Sequence, residues 1–267
     1  MLKKYLAILF TNLLFALPIP ASAGFDHNHR VWNELLKDHV FWLDDGVASV
    51  VNYPDFLTDK VALERYLASV SAVAKADYQR WSREQRLAFL INAYNAFTVK
   101  LVLDHWPVES IKDIGGWFSK PWKMEFFTLL GEDHHLDWIE HEVIRKPGNF
   151  NEPRIHFAVN CAAIGCPALR AEAYVGERLD SQLDDQTRRF LADRSRNRID
   201  GDTLKLSSIF KWYREDFEQG WQGIDSLEEF LLLRARTLGI PTSRDSAPSI
   251  ENLAIEFLDY DWSLNEQ

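Results

Sequence analysis

The sequence predicts an α+β protein: a mostly helical single domain around one buried central helix, with a small antiparallel or mixed sheet. Three observations carry that reading. Residues 87–105 are apolar on nearly every side and contain no Gly or Pro, which marks a helix enclosed by other elements. Helical spacing of apolar residues recurs along the chain, while strand-like stretches are few and do not alternate with helices in β-α-β order. Of 267 residues, 46% are hydrophobic and 26% charged, a balance that suits a chain with a sizeable core rather than a disordered one.

The elements follow in order. Residues 1–23 read as a secretory signal: Lys3 and Lys4 supply the positive start, residues 5–17 form an apolar run, and Ala21-Ser22-Ala23 is the small-x-small cleavage pattern. The run ends at Pro18 and Pro20, too short for a membrane anchor. Cleavage after Ala23 would leave residues 24–267 as one globular domain, soluble rather than integral to a membrane, in the periplasm or secreted. After Asp26-His27-Asn28-His29, residues 31–43 have helical spacing. A second helix at residues 59–78 carries Leu63, Tyr66, Leu67, Val70 and Val73 on one stripe. Ser82 and Gln85 form the S-x-x-Q capping box that opens the central helix, which runs towards Pro107. Asn92 and Asn95, three apart within it, share a face and need hydrogen-bond partners if buried.

Asp137 and Glu140 open a short helix to Arg145, stopped by Pro147-Gly148. Residues 154–160 alternate as a strand, Ile155, Phe157 and Val159 on one face and His156, Ala158 and Asn160 on the other. A charged helix spans residues 177–194. Gly201-Asp202 between residues 197–200 and 203–207 reads as a hairpin. Two further helices are expected at residues 207–217 and 226–237, the second capped by Ser226 with Glu229, and residues 254–262 end in a strand or extended segment.

Charge narrows the function. With 30 basic against 40 acidic residues the net charge is −10, which argues against nucleic-acid partners. No G-x-S-x-G, Walker, H-E-x-x-H or G-x-G-x-x-G pattern occurs, so serine hydrolase, nucleotide and zincin chemistry have no signature, and no cofactor is expected. The expected partner is a small-molecule or peptide ligand; oligomeric state stays open.

Two cysteines exist, Cys161 and Cys166. Pro167 favours a helix start beside Cys166, where free N–H groups would acidify its thiol. Cys161 instead lies beside the polar face of the predicted strand. A thiol nucleophile needs a base and the base an acceptor that orients it. All eight histidines lie at or before position 156, so the order is His before Cys, the reverse of papain. His141 and His156 are the candidate bases, with Glu140 as the orienting carboxylate and Asn92, Asn95 and Asn160 as residues that contact substrate or steady an oxyanion. In an extended strand His156 and Cys161 would point oppositely, so their meeting requires a turn at Asn160. The bland readings stand beside this one: a Cys161–Cys166 disulfide in an oxidising compartment, histidines as hydrogen-bonded structural residues, or a metal held with His141 and His156, although the spacing is no standard zinc pattern.

Four segments together resemble the bacterial domain of unknown function 547 family: LAFLINAYNAF at residues 87–97, IEHEVIR at 139–145, RIHFAVNCAAIGCPAL at 154–169 and YDWSLN at 260–265. Ala168 departs from the second proline common there. The resemblance implies an envelope or secreted protein without a settled activity, and that Asn92, Asn95, Glu140, His141, His156, Cys161 and Cys166 belong to family motifs. Two functions remain: a cysteine-dependent hydrolase or acyl transferase acting on a peptide- or amide-like substrate, and a non-enzymatic envelope binding or assembly domain stapled by a disulfide. Thiol–disulfide exchange is a lesser third.

Overall fold

The computed structural model describes residues 24–43, 46–115, 120–240, 250 and 253–267; the predicted signal segment lies outside the described residues. The protein is α+β, and its centre is the helix Arg83–Asp104. Ser82 Oγ accepts the Gln85 N–H at 3.1 Å and Gln85 Oε1 accepts the Ser82 N–H at 3.0 Å, so the capping box forms as the sequence predicts. Twenty-two residues give a rod of ~33 Å. Its residues from Leu87 to Val99 are buried without a break, which explains how a helix long and apolar enough to cross a membrane comes to sit inside the protein. Around it pack the helix Lys60–Ser71, a π-helical turn Trp138–Ile144 and the turn Gly176–Arg178. The helix Arg30–His39 closes one side through Trp32 and Leu36.

The strands are short. β1 (Val40–Trp42) pairs antiparallel with β2 (Ser49–Val51), and β3 (Phe127–Leu129) with β4 (Glu132–His134). β5 (Arg198–Asp200) and β6 (Thr203–Ser207) form the predicted hairpin, and β7 (Ala254–Leu258) joins β6 in parallel. A second apolar cluster lies under this mixed sheet. It unites Phe190 of the helix Leu179–Ala192 with Leu204, Phe210, Phe217 and Phe230.

Several boundaries differ from the sequence expectation. Residues 154–160 are not a strand. Pro153–Phe157 is a 3₁₀ turn, started by Pro153 and capped by Glu152, whose carboxylate accepts the Arg154 N–H. Every residue from Pro153 to Asn160 is buried, so alternation had no solvent face to report. The turn instead sits on the seam between the two clusters, sending Ile155 and Ala158 into the first and Phe157 into the second. The helix expected after Pro167 does not form either: residues 167–175 run as irregular backbone. The 207–217 and 226–237 segments each split, into Ile209–Trp212 with Arg214–Glu218 and into Leu227–Leu232 with Ala235–Leu238.

The segment 167–175, buried at both ends and half-buried at 170–172, accounts for most of the interior amides. Backbone outside a helix or ladder must still be hydrogen-bonded when buried. Asn160 Nδ2 donates to the Pro167 carbonyl (2.8 Å), Gln186 Nε2 to that of Ala168 (2.6 Å) and Ser49 Oγ to that of Leu169 (2.8 Å). Asn92 brackets Tyr174, donating to its carbonyl at 2.7 Å and accepting its N–H at 3.0 Å. Asn95 does the same for the 3₁₀ exit, donating to Ala158 O and accepting from Asn160 N–H. Where the sequence suggested substrate contacts for Asn92, Asn95 and Asn160, the structure commits all three amides to the backbone and leaves them outside the cleft described next.

Candidate functional site

A cleft of about 690 Å³ opens where the central helix, the π-helical turn, the 3₁₀ turn and the C-terminal segment meet. Glu140, His141, His156, Cys161 and Cys166 all line it, drawn from three separate stretches of the chain. Tyr94, Tyr213 and Tyr260 line its interior, Trp122, Trp212 and Trp262 one flank, and Lys112, Lys120 and Lys123 also border it.

His156 stands on the 3₁₀ turn and is 2% exposed. Its Nε2 meets Asp216 Oδ2 at 2.6 Å, and its ring stacks on Tyr213 at 3.9 Å. Arg145 binds the same carboxylate through Nε at 2.5 Å and lies 4.7 Å from the centre of the Tyr213 ring. Burial lowers the His156 pKa below the ordinary histidine value, with the Asp216 hydrogen bond pulling the other way. Burial alone would raise the Asp216 carboxyl, but hydrogen bonds from His156 and Arg145 outweigh it and bring the pKa to about 2. The state consistent with both is a charged Asp216–Arg145 pair beside a neutral imidazole that donates Nε2–H to Asp216. That tautomer leaves Nδ1 as a lone pair, and Nδ1 is buried with no hydrogen-bond partner among the described residues.

His141 is committed elsewhere. Its Nδ1 accepts from Arg145 Nη1 at 2.6 Å, and its Nε2 lies 3.8 Å from Asp137 Oδ1. Glu140, buried on the same turn, does not orient either imidazole. Its carboxylate faces the hydroxyls of Tyr94 and Tyr213, and burial together with this negative charge keeps both phenols protonated, well above the ordinary tyrosine range. The orienting role expected of Glu140 is filled for His156 by Asp216.

Cys161 and Cys166 are joined in a disulfide. Cys166 is therefore not a helix-terminal thiolate, and the sulfurs are unavailable as metal ligands; among the described residues no group of three His, Cys, Asp or Glu side chains is placed to hold a metal. Cys161 is the more exposed of the two, Cys166 being 4% accessible. Tyr260 closes over the bond, its hydroxyl 3.1 Å from each sulfur. The Cys161 N–H points to Cys166 Sγ at 2.9 Å. Gly165 permits this approach: a Cβ there would sit 2.9 Å from the Tyr260 ring and from the Asp261 carbonyl.

Sequence reasoning missed Asp216, Arg145 and Tyr260 as site residues. Tyr260 carried a signal, since it begins the YDWSLN segment. Asp216 carried none, because it lies in a charged stretch 60 residues from its partner.

Residues 78–191 match the family described as "Protein of unknown function, DUF547". That span holds His141, His156 and both cysteines but stops short of Asp216 and Tyr260. None of the curated proteins and none of the solved structures compared with the chain matches it.

Proposed function

We propose that this chain, carrying a DUF547 region at residues 78–191, is an exported acyl-transfer or hydrolytic enzyme acting on a peptide- or amide-like substrate in the cleft. His156 is the base, Asp216 holds its tautomer, and Cys161 is the nucleophile once its bond to Cys166 is reduced. One observation carries the reading: an Asp-oriented, neutral imidazole with an unpartnered Nδ1 belongs to the same cleft as the two cysteines. Interior lone pairs without donors are uncommon unless a ligand or a transferred proton occupies them. Tyr94 and Tyr213, whose hydroxyls are hydrogen-bonded to Glu140, complete the polar lining of the cleft around His156. Export is supported by the residues 1–23 pattern together with a disulfide, a bond that persists in oxidising compartments.

The test uses the folded chain with p-nitrophenyl acetate as acyl probe, before and after mild reduction by dithiothreitol. Release of nitrophenolate with a trapped Cys161 thioester is expected only after reduction. Its absence in wild type, or its persistence at full rate in His156→Ala, overturns the reading. The disulfide itself favours a second reading, a non-enzymatic binding domain in which Cys161–Cys166 pins the cleft wall. Ligand retention by the oxidised protein without turnover is its signature.

A further inference from the structure

We propose that the Cys161–Cys166 bond is a working thiol–disulfide exchange pair, with Cys161 the sulfur attacked and Cys166 the sulfur released. The inference deepens the acyl-transfer reading, since it supplies the step that frees the nucleophile, yet it rests on contacts of its own. Both sulfurs belong to the cleft wall, but Cys161 is the partly exposed half of the bond, whereas Cys166 is only 4% accessible. The Cys161 backbone N–H singles out Cys166 Sγ at 2.9 Å, and the Tyr260 hydroxyl, 3.1 Å from both sulfurs, can turn its proton to Cys166 as charge develops there. A phenol has one proton to give, and aimed at Cys166 Sγ it stabilises charge on that sulfur. The thiolate whose charge is better stabilised by hydrogen bonds is the better leaving group in exchange.

The chemistry balances with a dithiol as reductant. A thiolate of the dithiol attacks Cys161 Sγ and forms a mixed disulfide. The Cys161–Cys166 bond breaks and its electron pair leaves on Cys166 Sγ, which the two donors hold. The second thiol of the reductant then attacks its own partner sulfur and expels Cys161 as a thiolate. The cysteine pair gains two electrons and the dithiol becomes a disulfide; the protons shed by its two thiols match the two thiolates formed. Burial holds the Tyr260 phenol far above the ordinary range, so it stays a donor throughout.

The experiment incubates the folded, oxidised full chain with reduced glutathione, quenches with acid and maps the adduct by mass spectrometry. Glutathione is expected on Cys161 alone. In Cys166→Ser treated with oxidised glutathione, the Cys161 adduct should accumulate because no resolving thiol remains. Tyr260→Phe should slow reduction of the bond by dithiothreitol about tenfold, the effect of one hydrogen bond to a charged sulfur. An adduct on Cys166, or a bond that dithiothreitol reduces only in denaturant, overturns the assignment. Labelling needs no acyl substrate. Exchange at Cys161 without nitrophenolate release therefore sinks the acyl-transfer reading alone, and nitrophenolate release after reduction with the glutathione adduct on Cys166 sinks the exchange assignment alone.

Discussion

Asp216 and Arg145 set the electrical state of His156. With the carboxylate charged and the guanidinium paired to it, the imidazole is neutral at pH 7 and keeps its Nε2–H towards Asp216. Because the folded pKa lies below 6.5, the basic form persists as pH falls through the ordinary histidine range, and the acid limb of a cleft-dependent rate should appear below pH 6.5. Asp216→Asn removes the hydrogen-bonded carboxylate that, together with the Glu140 charge, raises this pKa. The limb should then move to lower pH while the rate constant drops on the order of a hundredfold or more, as loss of a general base and its orienter does; a pH–rate profile of both proteins checks this. His29 gives a separate pH signature, in stability. It is buried beside Tyr66, which bonds Nδ1 at 2.7 Å, and burial depresses its pKa to about 3. The unfolded chain therefore binds a proton that the fold refuses, and stability present above pH 6.5 is lost as pH falls towards 3, by up to about 4 kcal/mol. Urea midpoints should decline over that window, and His29→Asn, which tolerates the φ of 49° there and cannot charge, should flatten the slope.

At the scale of elements, the sequence was most legible where one face met one environment. The central helix, its Ser82–Gln85 box, the stripe from Leu63 to Val70 and the β5–β6 hairpin all follow from periodicity and turn chemistry, although the helix expected over 59–78 breaks after Ser71, leaving Val73 in the break before the short helix Lys75–Tyr78. It misled where a segment is buried on all sides. In residues 154–160 polar and apolar side chains are enclosed alike, and Pro153 with its Glu152 cap decides the 3₁₀ geometry over the alternating pattern. The interior asparagines were visible, but their partners were not, because an amide looks the same whether it faces a ligand or a carbonyl 63 residues away. Asn95→Leu should cost about 2 to 4 kcal/mol, since it strands both the Asn160 N–H and the Ala158 carbonyl in the interior. Ser82→Ala at the exposed start of the same helix should cost only about 1 kcal/mol. Chemical denaturation of the two variants side by side tests the contrast.

For the molecule as a whole, the disulfide closes so short a loop that it adds little to global stability. Six residues from Cys161 to Cys166 correspond to about 2 kcal/mol of removed chain entropy. The reduced protein should thus keep its far-ultraviolet dichroism and lose only a few degrees in Tm. The larger clamp is the C-terminal segment: Ile164 N–H donates to Ser263 O and Gly165 N–H to Asp261 O, both at 2.8 Å, while Asn265 takes the Tyr53 hydroxyl at 2.8 Å. Deleting residues 259–267 should open the loop far more than reduction does, read as faster amide exchange across residues 161–166.

This clamp has a consequence for synthesis. Tyr260 follows Cys166 by 94 residues, so the two sulfurs emerge from a ribosome long before the phenol that roofs them. A partly translated chain presents uncovered thiols, and only the finished polypeptide shelters them; quick alkylation of these cysteines marks molecules whose last residues have yet to dock.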